Sequence, residues 1–194
     1  MSLSLTLVRH GESEANVAHM LSGWMDVPLT ERGRHELEDL RLSVDYPKAE
    51  ILFSSPLQRC RDTAAILFPD MLPIVSDRFK EIDFRSLEGT ILHSKEEIRS
   101  YFVDWVADRP RKDEETFTPV ARRMGVTLET TARDCLEKGI RSATVVMHSG
   151  IMRVGLITLF GLPREDFNRM SVANGRGVVI TFDDDARPLQ WRWL

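Results

Sequence analysis

Cysteine is scarce in this chain of 194 residues, which also lacks a long hydrophobic run. Cys60 and Cys135 are far apart and form no CxxC spacing, so we expect neither a disulfide framework nor a thiolate metal site, and a reducing cytoplasm fits best. The longest apolar run, around residues 151–162, is interrupted by Arg153 and is shorter than the roughly 20 residues of a membrane span. No basic and then apolar leader follows Met1, so we expect no export signal.

Positive charge is not in excess either, because 26 Lys and Arg face 30 Asp and Glu, for a net charge of −4. This balance argues against binding of nucleic acid through a positive field. No repeat, low-complexity tract or long linker divides the chain. Its 42% hydrophobic content predicts one well-packed domain over residues 1–194.

Short apolar runs alternate with segments of helical periodicity. Strands are predicted at Leu3–Val8, Glu50–Phe53 and Ala143–Met147, and a terminal hairpin at Val178–Phe182 and Leu189–Trp193. Helices are predicted after Ser55 as N-cap, after Ser94 as part of a capping box, from about Thr116 to Lys138, and over Ile151–Phe160. The alternation indicates an α/β fold, a three-layer sandwich with a mainly parallel central sheet flanked by helices.

The residues with chemical potential follow the predicted strands, where parallel sheets bind ligands. Arg9 and His10 end the first strand, Arg59 comes shortly after the second, and His148 follows the third. A phosphoryl group carries charge on its equatorial oxygens, and the planar fork of an arginine can bind two of them at once. A neutral imidazole is nucleophilic near pH 7. We therefore expect His10 to be the nucleophile, with Arg9, Arg59 and His148 binding phosphate.

Three segments, LVRHGESEAN at 7–16, SSPLQRCRDTA at 54–64 and MHSGIMR at 147–153, resemble the histidine phosphatase superfamily, whose fold is also called phosphoglycerate-mutase-like. Segments 23–33 and 80–89 match further family segments in the same order. The resemblance assigns the four roles above to the matching positions. It also implies a reaction through a phosphohistidine, without a metal or other cofactor.

The resemblance places Glu81 at the position of the acid that protonates the leaving group. Asn16, Ser13, Ser22 and Gly23 match positions that contact phosphate or substrate in relatives. In the HSG sequence that starts at His148, Ser149 replaces a more frequent glycine but keeps a backbone N–H for phosphate. Arg85 departs from the family pattern, which more usually has glycine at this position. A cation beside Glu81 would favour the ionised carboxylate and weaken Glu81 as an acid.

Three functions stay open, and the phosphatase is favoured over phosphoglycerate-mutase-type transfer and over a weakly active phosphate-binding module. In mutases, charged or polar residues stand where this chain has Ile82, Phe84 and Leu92. The expected substrate is a small phosphorylated metabolite whose identity the sequence leaves open, as it does the oligomeric state. Residues 94–124 are expected to form a lid, in which core packing is the favoured role of Phe102, Trp105 and Phe117.

Several conspicuous side chains are interpreted as structural. His19, His35 and His93 are expected at the surface or in helix packing, and Cys60 in the core. Trp24 and Asp26 are interpreted as loop packing and capping residues. Arg122 and Arg123 are expected on a solvated helix face, since neighbours on a helix diverge by about 100°.

Overall fold

A computed structural model describes residues 2–194, and strands and helices alternate along most of this length. The strands are β1 (Leu3–Arg9), β2 (Ile51–Ser54), β3 (Ile74–Val75), β4 (Ser142–Met147), β5 (Gly177–Phe182) and β6 (Pro188–Trp193). The helices are α1 (Glu14–Val17), α2 (Glu31–Ser43), α3 (Gln58–Leu67), α4 (Lys95–Val106), α5 (Phe117–Glu137) and α6 (Ser149–Phe160). Short 3-10 turns lie at Asp77–Phe79, Arg85–Leu87 and Arg164–Asn168.

The strands within residues 2–194 form one sheet in the order β3-β2-β4-β1-β5-β6. Strands β1, β2, β3 and β4 pair in parallel, whereas β5 is antiparallel to β1, and β6 is antiparallel to β5. Both faces of the sheet are covered. Leu3, Leu5 and Leu7 of β1 join a core with α5 and α6, and Val8 joins a second core with α2 and α3. The predicted three-layer α/β sandwich is therefore confirmed.

The register brings the ends of three parallel strands to the same edge of the sheet. Arg9 pairs with Met147, and Val146 pairs with Ser54. The ladder continues for one more residue, since the amide of His10 donates to the Met147 carbonyl and the amide of Ser55 to the Val146 carbonyl, each at 3.0 Å. His10, Ser55 and His148 consequently lie side by side just beyond the sheet.

The prediction of the helix after β2 is wrong at its start. Ser55 does not cap the helix, which begins at Gln58 after Leu57, because the Ser55 side chain is directed to His148 instead. Ser94 caps α4 as predicted, since its hydroxyl accepts from the Glu97 amide at 3.0 Å, but the capping box is incomplete, because the Glu97 carboxylate accepts from the His93 amide at 2.8 Å. The terminal hairpin is also confirmed. Helices α1 and α2 and the short strand β3 were not anticipated.

Trp105 and Phe117 are buried in the core at 1% and 3% exposure, as expected. Phe102 also packs against the core, but one side of its ring lines the cavity described below. Across residues 2–194, none of the helices combines the length and the apolar character that a bilayer crossing requires.

Candidate active site

A cavity of about 520 Å³ opens at the edge of the sheet where β1 and β4 end, and His10 lines it. The Nδ1 atom of His10 is 2.7 Å from the carbonyl oxygen of Gly11, so in the neutral ring Nδ1 donates its proton there and Nε2 keeps a free lone pair. Burial lowers the pKa of His10 well below 6.5, and the charges of Arg59 and Arg9 lower it further. The ring is therefore a neutral nucleophile at pH 7.

His148 lies behind His10, with the two ring centroids 5.2 Å apart. It is fully buried and is not among the residues that line the cavity. Its Nε2 atom is 2.9 Å from the hydroxyl oxygen of Ser55, and the thiol of Cys60 packs against the same ring. Burial lowers the pKa of His148 well below 6.5, with Arg59 the next largest cause. Ser55, which was predicted to cap a helix, is thus a neighbour of the site.

The predicted arginines line the cavity, and neutral carbonyl groups hold both of them. Arg9 donates to the Val172 carbonyl at 2.6 Å, while Arg59 donates to the carbonyls of Met25 and Gly23 at 2.9 and 2.7 Å. The buried Nε atoms of both arginines have no hydrogen-bond partner among the described residues. Carbonyl groups orient a guanidinium without cancelling its charge, so the arrangement is suited to an anion.

Arg153, on the first turns of α6, adds a third guanidinium to the cavity wall. It donates to the carbonyls of Ser149 and Phe167 at 3.1 and 2.9 Å, and it stacks over the Phe167 ring. Burial lowers the pKa of Arg153 to about 10, partly offset by Glu81. Arg153 lies within the matched segment 147–153 but was not predicted as a site residue.

Glu81 lies at the cavity wall opposite the start of α6. Its carboxylate accepts the amides of Gly150 and Ile151 at 3.1 and 2.9 Å, so it occupies the N-terminus of that helix. Arg85, which was expected beside Glu81, lies instead 3.6 Å from the carboxylate of Asp83. No ion pair joins Arg85 and Glu81 among the described residues.

The backbone of Glu81 is held by two side chains that were expected to be structural. Its carbonyl oxygen accepts from Trp24 Nε1 at 2.7 Å and from Arg123 at 3.1 Å. Arg123 also donates to the Lys80 carbonyl and forms an ion pair with Glu115 at 2.8 Å. The prediction that Arg123 belongs to a solvated helix face is therefore wrong, because α5 turns it towards the 80–81 backbone, whereas Arg122 is exposed.

The structure brings four of the secondary candidates to the cavity, namely Asn16, Ser22, Gly23 and Ser149. Gly23 has φ +43°, and a Cβ there would lie 2.7 Å from the Ile82 carbonyl oxygen, so only glycine fits. Ser13 is buried beside the cavity without lining it, and its amide donates to Asn16 Oδ1 at 3.1 Å.

Several other residues that line the cavity were not predicted as site residues. Asn174 donates to the His10 carbonyl at 2.9 Å and to Asn16 Oδ1 at 3.2 Å, and it follows no predicted strand that would have marked it. His19 lies exposed at the rim. Asp26, which was interpreted as a capping residue, accepts from the Gln58 amide at the start of α3, where Ser55 was the expected cap. The apolar wall consists of Leu21, Ile82, Phe84, Leu92, Ile98, Phe102, Met170 and Val172.

Over residues 2–194, no group of three or more His, Cys, Asp or Glu side chains is placed to hold a metal ion. The positive charge that the cavity itself offers to an anion comes from Arg9, Arg59 and Arg153. The site thus combines a neutral nucleophilic imidazole, three guanidinium groups and a carboxyl group next to an apolar wall. This combination is suited to transfer of a phosphoryl group.

Comparison with known proteins agrees with this chemistry. The chain is 29% identical to a 2,3-bisphosphoglycerate-dependent phosphoglycerate mutase of Bartonella tribocorum, over 96% of this chain and 95% of the relative. It is 31% identical to a probable phosphoglycerate mutase of Serratia proteamaculans, over 89% and 81%. A solved phosphoserine phosphatase of Entamoeba histolytica, in complex with phosphoserine, shares the fold with a TM-score of 0.80 at 20% identity, over 96% of this chain and 94% of the other.

The profile of the histidine phosphatase superfamily (branch 1) matches residues 5–193, which is nearly the whole chain. This stretch includes His10, Arg9, Arg59, Glu81 and His148. The chain belongs to the histidine phosphatase superfamily.

Proposed function

We propose that this protein is a phosphatase that hydrolyses small phosphomonoesters through a phosphohistidine at His10. The observation that carries the proposal is the neutral His10 ring beside Arg9 and Arg59, whose charges no carboxylate cancels by a direct ion pair within residues 2–194. A phosphate monoester supplies the missing negative charge and places its phosphorus next to a free nitrogen lone pair.

In the first step His10 Nε2 forms a bond to phosphorus while the bond from phosphorus to the leaving oxygen breaks. Arg9 and Arg59 stabilise the charge on the equatorial oxygens. Protonated Glu81 gives its proton to the leaving oxygen, because an alkoxide is too basic to depart alone. In the second step the oxygen of a water molecule forms a bond to phosphorus while the bond from His10 Nε2 to phosphorus breaks. Glu81 takes a proton from this water, and phosphate leaves. We assign Asn16, Ser22, Gly23 and Ser149 to substrate contacts, and His148 and Ser13 to support of the phosphate pocket.

Phosphoglycerate-mutase-type transfer is the second candidate, because relatives with that name match nearly the full chain. Hydrolysis is favoured by the apolar part of the cavity wall. Ile82, Phe84 and Leu92 are buried there, and none of them can bind the carboxylate and second phosphate of a bisphosphoglycerate. An apolar wall suits a leaving group with apolar surface.

We also propose that the segment 94–124 covers the site, since α4 contributes Ile98 and Phe102 to the cavity wall. The substrate would then be a phosphorylated metabolite small enough to fit under this cover.

We further propose that the protein is located in the cytoplasm. Cys60 and Cys135 are free thiols, which supports location in a reducing compartment.

The experiment that tests the proposal measures release of phosphate from an aryl phosphate, by the wild type and by His10→Ala, with and without excess chelator. We expect the wild type to be active and insensitive to the chelator, because guanidinium groups supply the positive charge. His10→Ala should be folded and inactive. Substrate quenched in acid-free denaturant should leave phosphate on His10 of the wild type.

Phosphate found on serine or aspartate would contradict the nucleophile. Activity that is lost with chelator and restored by a divalent ion would contradict the metal-independent mechanism. A wild type that binds phosphate ligands but hydrolyses neither aryl nor alkyl esters would favour the binding module.

A further inference from the structure

A second groove of about 840 Å³ lies between α4 and the 3-10 turn Arg164–Asn168, and we call it the α4 groove. Its floor is apolar and consists of Ile98, Phe102, Val103 and Val106. These residues recur at helical spacing, so they form a stripe along one face of α4. From Lys95 to Val106 this face is about 16 Å long at the usual rise of a helix.

The α4 groove is strongly basic, although the whole chain carries a net charge of −4. Six cationic residues line it together with one acidic residue, Glu165; the cationic residues are Lys95, Arg99, Arg109, Arg153, Arg164 and Arg169.

Carboxylates of the protein itself pair with half of these cations. Arg109 pairs with Asp104, Arg164 with Asp108 and Arg169 with Asp166. Asp166 and Arg169 are three residues apart in the chain. Lys95, Arg99 and Arg153 have no carboxylate within ion-pair distance in the part of the chain that the structure describes.

Lys95 and Arg99 are both exposed and lie four residues apart on one face of α4. Like charges at this spacing repel, although Glu96 and Glu97 in the first turn compensate a part of the positive charge. An anion bound between the two side chains would offset their repulsion.

The α4 groove adjoins the catalytic cavity. Ile98, Phe102 and Arg153 line both spaces, so the two spaces meet at these side chains. Arg153 lies where the two spaces meet, and its guanidinium donates hydrogen bonds to the carbonyl groups of Ser149 and Phe167.

We propose that the α4 groove binds the leaving group of the substrate, and that this leaving group is an amphipathic organic acid. Its apolar part packs on Ile98 and Phe102, and its carboxylate pairs with Lys95 and Arg99. This inference rests on the proposed phosphatase function and specifies the class of substrate that the site prefers.

The test uses phenyl phosphates with a para alkyl chain of graded length that ends in a carboxylate, each matched to its uncharged methyl amide. The measured quantity is the ratio of kcat/KM for the acid to kcat/KM for the amide. For the wild type we expect a ratio of about ten at the best chain length, the size of one charge-assisted contact. High salt should reduce this ratio, because exposed charges are screened.

Arg99→Glu and Lys95→Glu should each lower the ratio about tenfold. The matched control is Arg192→Glu, which changes the net charge equally but lies exposed on the edge strand β6, outside both spaces. This control should keep the wild-type ratio.

A wild-type ratio near one at every chain length, or an equal ratio in wild type and Arg99→Glu, would overturn the α4 groove as a leaving-group site while leaving the phosphatase intact. If the wild type hydrolyses neither ester, the phosphatase proposal fails. The groove is then tested by calorimetric binding of the corresponding non-hydrolysable phosphonates, acid against amide. Tighter binding of the acid that Arg99→Glu abolishes would support the groove, and equal binding would overturn it.

Discussion

Arg59 connects the proposed phosphate position to the loop that forms one side of the cavity. The residue is 1% exposed, and its guanidinium donates to the carbonyls of Gly23 and Met25, so the loop and the cation position each other. The other hydrogens of the fork are free for two oxygens of one phosphate. A point charge cannot satisfy both the loop and the ligand in this way.

We predict that Arg59→Ala slows hydrolysis of an aryl phosphate roughly a hundred- to thousandfold, the usual cost of one preorganised donor to a transition-state oxyanion. Arg59→Lys should recover a part of this loss, because it restores charge but not the fork. Steady-state kinetics of both variants provide the measurement. Full activity of Arg59→Lys would show that bidentate geometry is not needed.

Glu81 distinguishes a working phosphatase from a module that only binds phosphate. If it is the proton donor, Glu81→Gln should slow an alkyl phosphate strongly and an aryl phosphate much less, because a phenolate departs with little protonation. The amide can still accept one of the α6 amides, so the fold should persist. Equal losses on both esters would rule out the general-acid role.

At the residue level, the sequence was sufficient to predict those cavity residues that lie next to strand ends or within motifs. His10, Arg9 and Arg59 all reach the cavity for this reason. Arg153 and Asn174 were missed because their proximity depends on the path of α6 and of the loop before β5, which no local pattern encodes. His148 was placed correctly next to His10, but its complete burial and its bond to Ser55 depend on the register between β2 and β4.

Among the elements, α6 and α5 together determine where Glu81 lies. The first amides of α6 hold its carboxylate, and Arg123 of α5 holds its carbonyl group. Burial of the sheet face by both helices therefore also orients the carboxyl group of Glu81, the proposed proton donor. Arg123 is a positioning residue in this arrangement, since it acts through the backbone of Glu81.

We predict that Arg123→Met lowers kcat for an alkyl phosphate ten- to hundredfold, with little change in KM, because small displacements of a catalytic group are costly. The loss on an aryl phosphate should be smaller, as for Glu81→Gln. Arg122→Met is the matched control, since Arg122 is the exposed neighbour on the same helix. Arg123→Lys should recover activity in part.

A purely structural role of Arg123 would give a different result. Arg123→Met would then lower the melting temperature but leave the ratio of alkyl to aryl hydrolysis as in the wild type. The same ratio in Arg122→Met and Arg123→Met would contradict the positioning role.

Element boundaries were predicted well where a local signal dominates. The N-cap Ser94 begins α4 and Gly161, which has φ +59°, ends α6, both as expected. The start of α3 was predicted too early, because the Ser-Pro signal at residue 55 competes with a tertiary contact to His148. Helix α2 carries a wide polar surface with just Gly33 and Leu37 buried, so its apolar face is too narrow to stand out.

On the scale of the whole molecule, the sheet concentrates buried cations and imidazoles at one edge of a chain that is acidic overall. His10 and His148 are neutral there, since burial and the nearby arginines lower the pKa of both rings well below 6.5. In the unfolded chain both rings regain ordinary values near 6.5. The folded and unfolded states therefore bind different numbers of protons in mildly acidic solution.

This difference predicts how stability depends on pH. Above about pH 7.5 both states carry neutral rings, and the two histidines contribute almost no pH dependence. As the pH falls below 6.5 the unfolded state takes up protons that the folded state excludes, so the free energy of unfolding should fall. The slope approaches about 1.4 kcal/mol per pH unit for each histidine, or about 2.7 for both. Urea unfolding at intervals between pH 5 and 8 measures this slope.

His10→Gln should remove about half of that slope between pH 6.5 and 5 while leaving the curve above about pH 7.5 parallel to that of the wild type. His35→Gln is the matched control, because His35 is exposed on α2 beside Glu38 and is not in the cluster of arginines. It should keep the wild-type slope. If His10→Gln and His35→Gln show the same pH dependence, His10 is not held neutral in the folded protein, and its role as a nucleophile ready at pH 7 loses its physical basis.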